Sequence, residues 1–221
     1  MSKRPLTTIS RRALIAGAAL LPLTARAQSA SPRIVAFGDS LTAGYGLAKG
    51  YGLVPQLQNW LAAQGTPATI VNRGLSGDTT LGGRVRIGLA LRGGADAVIV
   101  ELGGNDMLLG WEPERAEANL DSILSTAGAG GRPVLLVGIH APGRRQDWRR
   151  RWAAIWPRLA QRHGTLLLPD LYAPLAQLPR PMRGDYLLAD GIHPSAKGVG
   201  LLVPHLGPQV QALIARIGQR A

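Results

Sequence analysis

The feature that most constrains this fold is an alternation of short apolar runs with longer segments of helical period. Such an alternation is typical of a parallel sheet whose two faces are covered by helices. The runs predicted to be strands are residues 33–37, 68–72, 97–102, 133–139 and 165–168. The pattern therefore predicts an α/β fold, a three-layer α/β/α sandwich.

Two segments near the carboxyl end have a different pattern. Residues 194–218 read as a closing helix that is interrupted near Pro204 and Pro208, because proline removes a helical hydrogen bond. Residues 169–189 contain four prolines and no helical period, which predicts a long loop. Long loops in compact domains are often functional, so this segment is a candidate border of a binding site.

The first 27 residues have the pattern of an export signal. A basic region is followed by an apolar run over residues 13–23 and by the A-x-A cleavage pattern at residues 25–27. Arg11 and Arg12 favour a twin-arginine signal, although adjacent arginines also occur in general secretory signals. The prediction is a signal peptide over 1–27, a single soluble domain over 28–221, and a periplasmic or secreted location.

Composition excludes several classes of chemistry. The chain has no cysteine, which excludes disulfides, thiolate metal sites and a cysteine nucleophile. Its four histidines form no H-E-x-x-H motif, and no phosphate-binding glycine loop is present, so neither a metal nor a nucleotide cofactor is expected. The net charge of +12 falls to +7 without residues 1–27, but no nucleic-acid-binding motif accompanies it.

The residues that follow the predicted strands are suited to acyl transfer. Parallel sheets bind ligands at the carboxyl ends of their strands, and Ser40 directly follows the first strand. A serine nucleophile needs a base and a partner that orients the base, which His193 and Asp190 supply. The oxyanion needs donors, and the N–H groups of Ser40 and Gly77 with the Asn105 amide are the candidates.

Four motifs carry a family resemblance. They are G-D-S-L at 38–41, S-G-D-T at 76–79, G-G-N-D at 103–106 and D-G-I-H-P at 190–194. In order and spacing the chain resembles the GDSL (SGNH) hydrolases, in particular the bacterial branch of periplasmic thioesterase I, lysophospholipase L1 and arylesterases. V-E-L-G-G-N-D at 100–106 is similar to that branch. The resemblance covers nearly all of residues 28–221.

The resemblance implies a flavodoxin-like five-stranded parallel sheet and a serine hydrolase without a cofactor. It implies Ser40, Asp190 and His193 as the catalytic triad, and Ser40, Gly77 and Asn105 as the oxyanion hole. The chain departs from the branch at residues 142–148, where a short P-N-Y-G loop is usual, and in a longer stretch before the last motif. Substrate preference therefore carries over less safely than mechanism.

Several residues have a second interpretation. Asp39 and Asp106 are rival acids for the triad, although acceptance of loop N–H groups is expected of both. Met107, Leu108 and Trp111 follow Asn105 and are predicted to line an acyl pocket. Three tryptophans lie at i, i+4 spacing, and for them core packing is favoured over contact with an acyl chain; they are Trp148, Trp152 and Trp156.

The leading functional prediction is hydrolysis of small-molecule carboxylic esters and acyl thioesters through an acyl-enzyme. One alternative is a carbohydrate O-acetyl esterase, because the GDSL superfamily also contains such enzymes. An alternative of another class is a binding module that keeps the scaffold without the chemistry. No nucleic-acid partner and no stable membrane insertion are expected. The sequence leaves open the oligomeric state and the role of the arginines within residues 144–151.

Overall fold

The computed structural model describes residues 31–140, 143 and 145–219. The predicted export signal over residues 1–27, and Arg144 of the arginine-rich segment, lie outside the described residues.

Five strands and eight α-helices follow one another along the described chain. The strands are β1 Arg33–Gly38, β2 Thr69–Gly74, β3 Ala97–Glu101, β4 Val134–Val137 and β5 Leu166–Leu168. The helices are α1 Ser40–Ala43, α2 Leu53–Ala63, α3 Thr80–Ala90, α4 Gly104–Leu108, α5 Pro113–Ala127, α6 Gln146–His163, α7 Ala173–Ala176 and α8 Ala196–Gly218. Each strand boundary lies within two residues of its predicted position.

The strands form one parallel sheet in the order β2-β1-β3-β4-β5. From β1 the chain adds β2 on one side, and it then adds β3, β4 and β5 on the other side. The strand order therefore reverses between β1 and β3. This is the flavodoxin-like order, and the predicted fold class is confirmed. Gly38 at the end of β1 pairs with Gly74 on one side and with Glu101 on the other.

Side chains alternate between two buried apolar clusters, one on each face of the sheet. Ile34 and Ala36 of β1 pack in a cluster with α2 and α8, whereas Val35 and Phe37 pack in a cluster with α3, α5 and α6. Helices on both faces explain why the central strands are apolar at nearly every position. The tryptophans of α6 belong to the second cluster, as the core interpretation predicted.

The predicted interruption of the closing helix is wrong, because α8 runs without a break over Ala196–Gly218 and includes Pro204 and Pro208. Proline at these positions removes the hydrogen bonds to the carbonyl groups of Gly200 and of Pro204. All three residues lie on the exposed face of α8, where water can solvate the freed carbonyls. The helix therefore keeps its apolar face on the sheet.

The segment 169–189 is more ordered than the predicted loop. It contains α7 and a 3₁₀ helix at Arg180–Tyr186. The other 3₁₀ turn lies at Ala129–Gly131.

Within the described ranges, no helix is both long and apolar enough to cross a bilayer.

Candidate active site

Ser40 is the first residue of α1 and lies just beyond the end of β1. Asp39 caps this helix, since its Oδ1 accepts a hydrogen bond from the Leu41 N–H at 3.0 Å. Ser40 is 8% exposed. The fold thus places this serine at the carboxyl edge of the sheet, where strand order reverses.

His193 joins Ser40 to Asp190. Its Nε2 lies 2.7 Å from Ser40 Oγ, and its Nδ1 lies 2.6 Å from Asp190 Oδ2. Because the carboxylate can only accept, Nδ1 carries the hydrogen and Nε2 is free to accept from the serine hydroxyl. The structure therefore brings the three predicted triad side chains together across 153 residues of chain.

The loop that carries Asp190 and His193 is held by hydrogen bonds within the loop and by two tyrosines. Asp190 Oδ1 accepts from the N–H groups of Ile192, at 2.8 Å, and of His193, at 3.0 Å. Tyr172, from the segment 169–189, donates its phenol hydrogen to the Ile192 carbonyl at 2.9 Å. The ring of Tyr45 packs on the imidazole with 4.6 Å between centroids. These contacts orient the imidazole towards Ser40.

The predicted oxyanion donors come from the three segments that follow β1, β2 and β3 at the same sheet edge. Asn105, in α4, donates from Nδ2 to the Asp78 carbonyl at 2.8 Å, so its amide lies against the loop that contains Gly77. Gly77 has a φ of +81°, which favours glycine. Within residues 31–140 and 145–219, the N–H groups of Ser40 and Gly77 donate to no other residue. Ser40 lines the cavity beside His193, whereas Gly77 is not among the residues that line it.

The rival acids have structural partners. Asp106 is fully buried and accepts from both the N–H and the hydroxyl of Thr80. Asp39 caps α1, and its Oδ2 lies 3.3 Å from the amide nitrogen of Asn105. The interpretation of both as loop-holding acceptors agrees with these contacts, and Asp190 is the carboxylate beside the imidazole.

Two acids of the site are shifted in opposite directions. The hydrogen bond from the His193 ring, with those from the N–H groups of His193 and Ile192, lowers the pKa of Asp190 to about 2. Burial raises the pKa of Asp39 to about 6, against the lowering effect of the Leu41 N–H. Asp190 is thus a stable anion near neutral pH, as an orienting partner of imidazolium must be.

A cavity of about 310 Å³ opens beside Ser40 and His193. Its wall is mostly apolar, with Met107, Leu108, Ile139, Leu175, Leu187 and Ile192 among the lining residues. Met107 and Leu108, two of the residues predicted to line an acyl pocket, both line this cavity. The structure does not bring Trp111 to this cavity: Arg115 lies over its ring at 4.7 Å, and its carbonyl accepts from the Trp148 indole.

Sequence reasoning missed the lining residues of the segment 169–189. Tyr172, Leu175, Arg183 and Leu187 all contribute to the wall. Arg183 is held by the carbonyls of Ala176 and Leu178. Only the length and proline content of this segment marked it as functional, since no residue within it belongs to a recognisable motif.

The arginines of α6 are mostly paired with acids. Arg151 binds Glu112 and Glu114, and Arg150 lies 3.7 Å from Asp147. None of the described arginines of residues 145–151 lines the cavity.

The described part of the chain also holds no cluster of three or more potential metal ligands.

Comparison with known proteins agrees with this geometry. Residues 36–201 match the GDSL-like lipase/acylhydrolase family model. The chain is 33% identical to the esterase TesA of Pseudomonas aeruginosa, over 92% of this chain and 100% of TesA. It is 33% identical to thioesterase 1/protease 1/lysophospholipase L1 of Escherichia coli, over 88% of this chain and 90% of that protein.

Among solved structures, the chain is similar to AlinE4, an SGNH-hydrolase family esterase. The two are 39% identical with a TM-score of 0.67, over 82% of this chain and 96% of AlinE4. The family model spans most of the chain and all four motifs. This protein therefore belongs to the GDSL-like lipase/acylhydrolase family.

Proposed function

We propose that this protein is a serine hydrolase that cleaves carboxylic esters and acyl thioesters through an acyl-enzyme. The observation that carries the proposal is the continuous contact from Ser40 Oγ through the His193 ring to Asp190, with distances of 2.7 Å and 2.6 Å. Relatives named esterase and thioesterase support the same chemistry.

The first half-reaction acylates Ser40. Its oxygen attacks the substrate carbonyl carbon while the hydroxyl proton passes to His193 Nε2. The carbonyl oxygen becomes an oxyanion, for which the N–H groups of Ser40 and Gly77 and the Asn105 amide are the proposed donors. The intermediate then expels an alcohol or thiol, which takes the proton from His193.

The second half-reaction releases the acid. Water attacks the acyl carbonyl and gives a proton to His193, the same donors receive the oxyanion, and Ser40 leaves with that proton. Asp190 stays ionised throughout and stabilises the imidazolium. Each oxyanion donor is expected to contribute about 10²- to 10³-fold to kcat.

The cavity supports a preference for an apolar acyl group on a small ester or thioester. Its apolar wall favours a hydrocarbon chain over an acetylated sugar, which would leave hydroxyl groups against Leu175, Leu187 and Ile192. Activity that rises with acyl length from acetyl to longer p-nitrophenyl esters is the expected result. Activity confined to acetylated xylan would favour the carbohydrate esterase instead.

Substitution of the nucleophile tests the function itself. Ser40→Ala should lower kcat for p-nitrophenyl butyrate by roughly 10⁴-fold or more, because the covalent step is lost. The matched control is Ser125→Ala on the exposed surface of α5, which should keep full activity. A fluorophosphonate should add to Ser40 of the wild type, whereas a pure binding module would gain no adduct.

Export is part of the same proposal. Residues 1–27 are proposed to direct the enzyme to the periplasm or the medium, with the twin-arginine route favoured by Arg11 and Arg12. Replacing both arginines with lysine should leave the precursor inside cells if that route is used. Unchanged export of the double variant would favour the general secretory route.

A further inference from the structure

Glu101 is a buried acid that the proposed reaction does not use. It is the last residue of β3 and is 2% exposed. Its Oε2 accepts a hydrogen bond from the Thr42 hydroxyl at 2.8 Å, and within the described ranges its buried Oε1 has no partner. Burial of a carboxyl group is costly, so a residue of this kind at a sheet edge requires a reason.

Thr42 connects Glu101 to the turn that carries Ser40. It lies two residues after Ser40 in α1 and is 3% exposed. Its carbonyl accepts from the Asn72 side chain of β2 at 2.9 Å. A helix of four residues has little stability of its own. Hydrogen bonds from both neighbouring strands therefore hold α1 in place.

Gly38 provides the space for this contact. A Cβ at position 38 would lie 2.7 Å from Glu101 Oε2 and would also collide with the Thr42 hydroxyl. The residue does not have a positive φ, so conformational freedom does not explain the glycine. The first glycine of the G-D-S-L motif thus leaves room for the bond between Thr42 and Glu101.

The surroundings of Glu101 also change its acidity. Burial raises the pKa of Glu101 well above its ordinary value, and the nearby charge of Asp39 raises it further.

We propose that Glu101 is a positioning residue, which acts through Thr42 to hold the Ser40 hydroxyl against His193. This inference rests on the proposed function. Neither Glu101 nor Thr42 lines the cavity, so substrate binding should not depend on them. Their loss should lower kcat, because misplacement of a nucleophile by about 1 Å costs up to roughly 10²-fold, while KM stays nearly constant.

The first test removes only the hydroxyl hydrogen bond. Thr42→Val should lower kcat for p-nitrophenyl butyrate and the rate of fluorophosphonate labelling at Ser40 by roughly 10- to 100-fold, with KM within about twofold. Thr42→Ser should restore most of both rates. Thr126→Val is the matched control, since the Thr126 hydroxyl donates to a carbonyl of its own helix, α5, and this variant should behave as wild type.

The second test changes the acid. Glu101→Gln keeps a hydrogen-bond acceptor of the same shape and should retain most of kcat, whereas Glu101→Leu should be as impaired as Thr42→Val. Equal impairment of Glu101→Gln and Glu101→Leu would overturn the positioning role. If Glu101→Leu does not fold by circular dichroism, the Thr42 variants decide.

The two proposals fail in different ways. A wild-type protein without Ser40-dependent hydrolysis would refute the proposed function. Wild-type activity that depends on Ser40, with Thr42→Val equal to Thr126→Val in kcat, would refute only the positioning role of Glu101.

Discussion

The turn around Ser40 and the loop around His193 meet at one hydrogen bond but are built differently. Asp39 and Thr42 of the turn are 2% and 3% exposed. In the loop, Ile192 is 43% exposed and the Asp190 side chain is 35% exposed. The nucleophile therefore sits on a buried support, whereas its base sits on a surface loop.

The partners of the two regions also differ in sequence distance. The turn depends on Asn72 of β2 and Glu101 of β3, which are 30 and 59 residues from Thr42. The loop depends on Asp190, which binds N–H groups two and three residues further on. The position of the nucleophile thus relies on tertiary contacts. The Asp190–His193 pair, in contrast, is held mostly by contacts within four consecutive residues.

The largest loss of activity is expected from Asp190→Asn, which changes the loop around His193. An amide can donate to His193 Nδ1 and so favours the wrong tautomer, which should lower kcat by about 10³- to 10⁴-fold. The variant should still fold, because the loop is local and exposed. Asp185→Asn, a change of the same kind on a side chain that is 72% exposed, is the control. A loss below tenfold would contradict the triad assignment.

A pair of glycine substitutions compares the two supports directly. Gly38→Ala forces a Cβ against Glu101 and Thr42 and should cost about 3 kcal/mol of folding free energy. Gly191→Ala meets no atom within 4 Å and strains only a φ of +67°, at about 1 kcal/mol. Urea unfolding measures both. Equal costs would show that the turn is no more tightly packed than the loop.

The smallest expected effect is a difference in pH dependence. The pKa of Asp190 is lowered to about 2, so this group stabilises the folded protein above about pH 4, and the stabilisation is lost as pH falls towards 2. The pKa of Asp39 is raised to about 6, so its ionisation reduces stability as pH rises from about 4 to 6.

Unfolding free energies from pH 3 to pH 7 measure this difference. Relative to Asp190→Asn, the wild type should become more stable as pH rises from 3 to 4, and the difference should then stay constant. Relative to Asp39→Asn, it should lose stability between pH 4 and pH 6. If both stability differences, wild type minus Asp190→Asn and wild type minus Asp39→Asn, changed in the same direction with pH, the contrast between a buried and an exposed acid would be contradicted.

The fold was predictable from the sequence because parallel strands buried on both faces leave a strong apolar signal. The five strands, and the strand end that carries Ser40, follow from that signal. Other features were not predictable. The continuity of α8 through Pro204 depends on which face of the helix meets water. The displacement of Trp111 from the cavity depends on its contacts with Arg115 and Trp148.

The candidate site divides in the same way. The motifs name Ser40, Asp190, His193, Gly77 and Asn105, and the structure brings the triad side chains within hydrogen-bond distance; their catalytic roles stay a proposal. The cavity wall from Tyr172, Leu175 and Leu187 has no motif. Apolar residues at a cavity wall are selected for shape and contact, which many sequences satisfy equally well.

By itself, the sequence determined the class of fold, the chemistry available and the local unit of Asp190 and His193, because these depend on periodicity and on short spacings along the chain. Only the tertiary structure decided which groups support Ser40 and which surface faces the substrate. Glu101 shows the reason. Its carboxyl group gains a partner, a raised pKa and a proposed role only when β3 lies beside β1. Thr42 and Glu101 are 59 residues apart in the chain, and no local pattern encodes their contact.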